Sequence, residues 1–211
     1  MMAKVLVADD HPIIREGLKQ ILLSHFDELR VEEACNSHEV IQQVLSTRFD
    51  VVILDISMPG RNGLEILEYL KRTRPDIHVL ILTMHAEEEY AIRALKSGAS
   101  GYLTKDSDSE ELILALETIL QGRKYIRSET VEQLVSELNG SARKAPHEIL
   151  SVREYQVLQM IAAGKRLTEI AEELSLSLST VSTHRTRILD KMRMKSNAEL
   201  IRYAIKTGMV E

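Results

Sequence analysis

The chain has 211 residues, 44% of them hydrophobic, a net charge of −5 and a single cysteine, Cys35. One cysteine excludes an internal disulfide framework, and no apolar run approaches the roughly 20 residues that a membrane-spanning helix needs. The N-terminus also lacks the charged-then-apolar pattern of a secretory signal. We therefore expect a cytoplasmic protein of one or two domains with no membrane insertion.

Charge is unevenly distributed along the chain. Residues 148–211 carry ten Lys and Arg against eight Asp and Glu, whereas residues 1–147 carry 17 against 24. The contrast is strongest in residues 178–206, which hold seven basic and two acidic residues. This asymmetry predicts two domains with different partners.

The first 120 residues alternate between short apolar runs and segments with helical spacing. The apolar runs are residues 4–8, 30–34, 50–54, 78–82 and 101–104. This alternation predicts an α/β fold in which helices cover both faces of a five-stranded parallel sheet. The sequence Ser-Asp-Ser-Glu at 107–110 has capping-box spacing and predicts the start of a last helix that runs to Gly122.

A polar segment separates this part of the chain from the rest. A helix is predicted at about 128–138, and residues 139–148 are small and polar and contain both Gly and Pro. Every later apolar pattern has helical period. We therefore predict a first domain at 1–121, a helix and flexible linker at 122–147, and a small all-α domain at 148–211.

Acidic and reactive residues follow the predicted strands of the first domain. Asp9 and Asp10 follow the first strand, Asp55 the third, Thr83 the fourth and Lys105 the fifth. The C-terminal ends of parallel strands share one edge of the sheet, so these side chains converge. Clustered carboxylates need a cation, and oxygen ligands suit Mg²⁺. A carboxylate in such a cluster can act as a nucleophile toward a phosphoryl group.

Each of these residues taken alone has a simpler explanation. A single Asp after a strand is usually a turn residue or a helix cap. The functional interpretation depends on the conjunction of an acidic pair, an Asp, a Thr and a Lys on successive strand ends.

The second domain is predicted to contain four helices with a helix-turn-helix pattern, the last of them within residues 197–208. A first helix ends at Gly164, a short helix covers 167–174, and a longer helix capped by Ser177 covers 179–192. Val181, Ile188 and Met192 share one face of the longer helix, which leaves polar and basic residues on the other sides. An ordinary solvated helix is the alternative for this segment, and His184 fits a partly buried structural role as well as base contact.

Known families share these motifs. The segments "LVADDHPIIREGL", "DVVILDISMPGRNGLEIL" and "ILTMHAEEEYAIRALKSGASGYLTKD" resemble the receiver domain of bacterial two-component response regulators over roughly residues 3–121. The resemblance implies a flavodoxin-like doubly wound sheet with strand order 2-1-3-4-5. It also implies Mg²⁺ or Mn²⁺ as cofactor and the following roles: Asp55 as phospho-acceptor, Asp9, Asp10, Asp55 and the Ser57 carbonyl as metal ligands with Asp10 the favoured direct ligand, Thr83 and Lys105 as phosphate contacts, and Tyr102 as switch aromatic.

The second domain resembles the LuxR-type helix-turn-helix over residues 150–208, through "REYQVLQMIAAG", "EIAEEL", "STVSTHRTRILDKM" and "NAEL". Together the two domains imply the NarL/FixJ class: a transcription factor phosphorylated by a sensor histidine kinase that binds promoter DNA as a homodimer. By this resemblance Ser182, Thr183 and Thr186 face bases, and Arg185, Arg187 and Lys191 are phosphate contacts. Two positions depart from the families: Asp106 replaces the Pro that most receivers have after the lysine, and Asn197 replaces an Arg found in many relatives.

Two other functions remain open from the sequence. A haloacid-dehalogenase-type phosphatase also uses an Asp nucleophile with Mg²⁺, but it expects a second Asp where this chain has Ser57. A receiver that is never phosphorylated is the other alternative, although all five receiver residues are present. We expect a regulator that is phosphorylated and dephosphorylated on Asp55 without being a turnover enzyme.

Overall fold

The computed structural model describes residues 2–58, 63–84, 88–127, 130, 145–174 and 176–209. Contacts divide the chain into two compact units, Met1–Val135 and Ser136–Glu211. Most of the helix predicted at 128–138 and of the polar segment at 139–148 lies outside the described residues. Among the described helices, none combines the length and apolar character that a membrane crossing requires.

The first unit contains one five-stranded sheet in which every neighbouring pair of strands is parallel. The strand order is 2-1-3-4-5, so the predicted fold class is confirmed. The order in which strands are added to the sheet reverses between the first and third strands, and such folds bind their ligands at this position. The strands are β1 (Ala3–Ala8), β2 (Leu29–Ala34), β3 (Val51–Leu54), β4 (His78–Thr83) and β5 (Gly101–Thr104).

Five helices connect and cover these strands: α1 (Pro12–His25), α2 (Ser37–Ser46), α3 (Gly63–Thr73), α4 (Glu88–Lys96) and α5 (Ser109–Leu120). Because the helices lie on both faces, all four residues of β3 are buried, as its continuous aliphatic sequence predicts. The predicted start of α5 was wrong: Asp108, and not Ser107, caps this helix by accepting a hydrogen bond from the backbone N–H of Glu111 at 2.7 Å. Ser107 instead accepts a hydrogen bond from Arg127 at 2.7 Å.

All secondary structure in the described residues of the second unit is helical. A short 3₁₀ helix at Pro146–Ile149 precedes α6 (Val152–Ala162), α7 (Leu167–Glu173), α8 (Leu178–Met192) and α9 (Asn197–Lys206). Gly164 has a left-handed φ of 81° and ends α6, as predicted. Val181, Ile188 and Met192 are all buried, which confirms the predicted inner face of α8.

One buried carboxylate ties α6 to α8. Glu154 caps α6 together with Ser151, since each side chain bonds to the backbone N–H of the other residue. Its carboxylate also accepts a hydrogen bond from Lys191 on α8 at 2.5 Å. Burial alone would raise the pKa of Glu154, but the bonds from Lys191 and Ser151 outweigh burial and hold that pKa below its usual value. The position of α8 therefore depends on an ionised Glu154.

We predict that Glu154→Gln lowers the free energy of unfolding of the second unit by about 1–2 kcal/mol at pH 7, because the ion pair and a charged cap are lost. A lowered pKa means that this stabilisation is present above the unfolded-state pKa and disappears as pH falls through the folded-state pKa. The difference between the variant and the original chain should therefore vanish in acid. Denaturant titrations followed by circular dichroism at neutral and acidic pH measure both effects.

The control is Glu173→Gln, which removes a surface ion pair between Glu173 and Lys165. Exposed pairs of this kind contribute little, so we expect a change of about 0.5 kcal/mol or less. Equal losses for the two variants would show that Glu154 has no special structural role.

Candidate metal centre and nucleic-acid interface

The sheet register places Asp9 beside Asp55. Ala8 on β1 is paired with Leu54 on β3, and the backbone N–H of Asp55 donates to the carbonyl of Ala8 at 2.9 Å. The two aspartates therefore leave adjacent strands at the same level, and both are 2% exposed. The predicted convergence at the C-terminal edge of the sheet is observed for this pair.

Lys105 joins the two carboxylates. Thr83 and Thr104 are paired at the ends of β4 and β5, and the backbone N–H of Lys105 donates to the Thr83 carbonyl at 2.8 Å. From this position the Lys105 ammonium lies 2.6 Å from Oδ2 of Asp9 and 2.8 Å from Oδ2 of Asp55. Residues up to 96 positions apart in the chain thus form one three-membered ionic cluster.

The electrostatics of this cluster combine burial with close pairing. Burial raises the pKa of Asp55, and the hydrogen bonds from Lys105 and from the Ser57 N–H only partly oppose it. Burial by itself would lower the pKa of Lys105, but the hydrogen bonds to Asp55 and Asp9 outweigh burial and raise that pKa. Lys105 is therefore held as a cation, and the negative charge on Asp55 is kept at a cost to folding.

Asp10 and His11 complete the polar cluster. One ligand atom from each of Asp9, Asp10, His11 and Asp55 lies within 4.8 Å of the others. Oδ1 of Asp10 is buried and makes no hydrogen bond within the described part of the chain, although Nδ1 of His11 is 3.0 Å away. A buried carboxylate oxygen without a donor suits a cation, and an oxygen-rich donor set fits Mg²⁺ or Mn²⁺. His11 was not predicted, and its place directly after the acidic pair is the only sequence signal for it.

Three other predicted residues of the first unit lie on or shortly after β3, β4 and β5. Ser57 donates its backbone N–H to Oδ1 of Asp55 at 3.1 Å, and its role as a carbonyl ligand stays a prediction. Thr83 is fully buried at the end of β4, and Tyr102 is buried on β5. The movement of Tyr102 likewise stays a prediction.

Gly63 fixes the backbone beneath Asp55. Its N–H donates to the carbonyl of Ile56 at 3.0 Å. A Cβ at this position would lie 2.5 Å from the carbonyl oxygen of Asp55 and 2.6 Å from Cα of Ile56, closer than atoms can approach. Only glycine allows α3 to begin so close to the strand that carries Asp55.

In the second unit, α8 presents a polar face opposite its buried residues. Ser177 caps this helix by accepting from the Thr180 N–H at 3.1 Å. The hydroxyls of Thr183 and Thr186 donate to the carbonyls four residues earlier, at 2.9 and 3.0 Å. The exposed residues of this face follow helical spacing and are Ser179, Thr183, Thr186, Arg187 and Asp190.

The three predicted phosphate contacts occupy different environments. Arg185 is half-buried and donates to the side-chain oxygen of Asn197 at 2.6 Å, so the residue that departs from the family pattern fixes Arg185 at the start of α9. Lys191 is paired with Glu154. Arg187 is exposed and has no ion pair or hydrogen bond to the described residues. Neither the Ser151–Glu154 capping box nor the bond between Arg185 and Asn197 was predicted, and only the capping box has a local sequence signal, its Ser-x-x-Glu spacing. Ser182 and His184 are half-buried on the same helix.

Two family models match the chain. One is described as "Response regulator receiver domain" and covers residues 5–117, and the other as "Bacterial regulatory proteins, luxR family" and covers residues 148–204. The chain belongs to the response regulators. Its receiver domain precedes a LuxR-type DNA-binding domain, which is the predicted NarL/FixJ architecture.

Relatives extend the match over the full length of this response regulator. "Oxygen regulatory protein NreC" from Staphylococcus epidermidis is 41% identical over 216 residues, with 99% of each chain covered. The protein of the same name from Staphylococcus carnosus is 39% identical over 215 residues, again with 99% covered.

Solved structures of other response regulators are similar to this chain. RcsB from Salmonella enterica serovar Typhimurium, bound to promoter rprA in the presence of phosphomimetic BeF₃⁻, has 28% identity and a TM-score of 0.65, and the match covers 96% of this chain and 98% of that chain. A LuxR-family two-component response regulator from Aurantimonas sp. SI85-9A1 has 34% identity and a TM-score of 0.59, with 65% of this chain and 98% of that chain covered.

For the receiver domain we predict that Asp55→Asn increases the free energy of unfolding by about 0.5–2 kcal/mol at pH 7, because it removes a buried charge. A raised pKa means that the stabilising effect of protonated Asp55 is complete below the unfolded-state pKa and is lost as pH rises through the folded-state pKa. The advantage of the variant should therefore shrink as the pH is lowered toward about 4. Denaturant titrations across this pH range provide the measurement.

Asp106→Asn is the matched control, because Asp106 is exposed and adjacent to Lys105. We expect it to change stability by about 0.5 kcal/mol or less at every pH. A destabilised Asp55→Asn variant would contradict the electrostatic account of the site.

Proposed function

We propose that this response regulator is a transcription factor switched by phosphorylation of Asp55 from a sensor histidine kinase. The observation that carries the proposal is the placement of the Lys105 ammonium within 2.8 Å of the Asp55 carboxylate and 2.6 Å of Asp9. A nucleophilic carboxylate beside a fixed cation is what phosphoryl transfer to an aspartate requires. Promoter DNA as the target places its action in the bacterial cytoplasm.

The chemistry can be written for these residues. A carboxylate oxygen of Asp55 attacks the phosphorus of a phosphohistidine, the new O–P bond forms, and the P–N bond to the imidazole breaks. The leaving nitrogen keeps the bonding electron pair. The Lys105 ammonium then pairs with the new phosphoryl oxygens instead of the Asp55 carboxylate. The Thr83 hydroxyl donates a hydrogen bond to one of these oxygens.

Asp9, Asp10, Asp55 and the carbonyl of Ser57 would hold the divalent cation, Mg²⁺ or Mn²⁺. When bound, the cation neutralises charge on the transferring phosphoryl group. The buried Asp10 oxygen, which accepts no hydrogen bond from the described residues, is the observation that supports this site. Lys105 alone balances only part of the charge of three aspartates.

Regulation is a shift between two states of the chain. Phosphorylated Asp55 draws in Thr83 and Lys105 at the ends of β4 and β5, and Tyr102 on β5 follows. The shifted state favours a homodimer that binds double-stranded promoter DNA, and a few kcal/mol of differential stabilisation is sufficient. RcsB, described as bound to promoter DNA with a phosphomimetic, supports this proposal by its similarity over both domains.

We do not assign turnover chemistry to this site. A haloacid-dehalogenase-type phosphatase needs a second carboxylic acid two residues after the nucleophile, and Ser57 stands there. Ser57 contributes a backbone N–H to Asp55, which does not substitute for a general acid. The proposed activity is single phosphoryl transfer to Asp55 and slow hydrolysis of the product.

We predict that Asp55→Asn abolishes labelling by radioactive acetyl phosphate with Mg²⁺, because the nucleophilic oxygen is lost and the shape is kept. Asp106→Asn, which removes a neighbouring exposed carboxylate, should be labelled as efficiently as the original chain. Retained labelling of a folded Asp55→Asn variant would sink the assignment of the phospho-acceptor.

For DNA binding we predict that Arg187→Gln weakens binding to every duplex and lowers the slope of log affinity against log salt by about one per protomer, because one phosphate contact is lost. Arg30→Gln, at an exposed arginine of the receiver domain, is the control for the change in net charge. Fluorescence anisotropy with a selected duplex at several salt concentrations gives the slopes. Unchanged slopes for Arg187→Gln would remove α8 as the DNA-contacting helix.

A further inference from the structure

The hydroxyl groups of Thr183 and Thr186, the two exposed threonines of α8, donate hydrogen bonds within the helix. Thr183 donates to the carbonyl of Ser179 and Thr186 to that of Ser182, both at about 3 Å. They lie three residues apart and therefore share the exposed face of the helix. What each side chain can still offer a ligand is its γ-methyl group and the lone pairs of its hydroxyl oxygen.

This remaining chemistry matches some base edges and not others. In the major groove an A·T pair presents the C5-methyl of thymine and the N6 amino group of adenine, which are a partner for a methyl group and a donor for an oxygen acceptor. A G·C pair also presents a donor, N4 of cytosine, but it has no methyl group, so contact with the thymine methyl is what distinguishes an A·T pair. Phosphate oxygens are only acceptors, so they offer no donor to a threonine whose proton is engaged.

The two neighbouring cations each bond to another side chain of the domain. Arg185 is bonded to Asn197 and Lys191 to Glu154. Among the described residues of the exposed face, Arg187 carries the free guanidinium, and it lies beside Thr186 toward the C-terminal end. Contacts to phosphate or guanine would therefore fall to Arg187, while the threonines contact different bases.

We propose that Thr183 and Thr186 read A·T pairs, through contact between their γ-methyl groups and the C5-methyl of thymine together with acceptance of a hydrogen bond from adenine N6. This inference rests on the proposed DNA-binding function and adds to it the sequence preference of α8. The target is a duplex with A·T pairs at the two positions that face Thr183 and Thr186 in each half-site.

The test begins with the phosphorylated full-length chain and a library of double-stranded DNA with a randomised centre. The selected duplexes should contain A·T pairs at two positions per half-site. The selection is repeated with Thr183→Ser and with Thr186→Ser, which keep the hydroxyl and lose the methyl. Each variant should relax the preference at one of the two positions, which assigns each threonine to its base pair.

The decisive measurement combines Thr186→Ser with deoxyuridine, which lacks the C5-methyl, at the assigned thymine. Either change alone should lower affinity about fourfold per contact, equivalent to about 0.8 kcal/mol. Because both changes delete the same contact, the two together should lower affinity no further than either alone. Thr186→Val, which keeps a methyl group, should retain discrimination between thymine and deoxyuridine.

Thr207→Ser is the matched control, since Thr207 is exposed and its hydroxyl also donates to the carbonyl four residues earlier, on Tyr203 at 2.9 Å, but it follows α9. It should not alter discrimination. Selection of G·C pairs at the assigned positions, or equal affinity for the thymine and deoxyuridine duplexes, would overturn the inference while leaving DNA binding intact. Failure to select any duplex would overturn the DNA-binding function and this inference with it.

Discussion

The ionic bridge from Lys105 to Asp9 and Asp55 is the constraint around which the receiver domain is arranged. The ammonium lies within 2.8 Å of both carboxylates at the edge of the sheet, and its charge holds together two acids that would otherwise repel. The bridge spans β1, β3 and β5, so it depends on the order of the strands. A change in the charge of Asp55 therefore changes the pairing of Lys105, which directly follows β5.

The arrangement is costly for folding. Burial raises the pKa of Asp55, which means that the ionised nucleophile lowers the stability of the domain at neutral pH. Phosphorylation would replace a poorly stabilised carboxylate by a group that Lys105 can contact in a new position. Rigid parts support this site: β3 is buried along its whole length, and Gly63 packs its backbone directly against that of Asp55. The ionised Asp55 thus lowers the stability of the domain, while the buried backbone around it fixes its position.

In the LuxR-type domain, one face of α8 is held by packing and side-chain bonds, and the opposite face is exposed. The inner face of α8 is buried, and its last turn is held by Lys191 on the buried Glu154. Arg185 is held by Asn197 at the start of α9. These two cations support the helix, and its exposed face carries three hydroxyl-bearing residues beside Arg187 and Asp190. Such a face allows close approach to base edges, with Arg187 at its border.

The sequence by itself predicted the strands, the helices and the convergence of Asp9, Asp55 and Lys105, because period and burial follow local pattern and because the C-terminal ends of parallel strands share one edge of the sheet. It also predicted the end of α6 at Gly164. The tertiary structure decided which side chains pair with one another. Only the parallel register places Asp9 beside Asp55, and only packing shows that His11 joins the cluster, that Asp108 caps α5 in place of Ser107, and that Lys191 and Arg185 bond within the domain. Side-chain partners distant in the chain depend on three-dimensional proximity, which local periodicity does not encode.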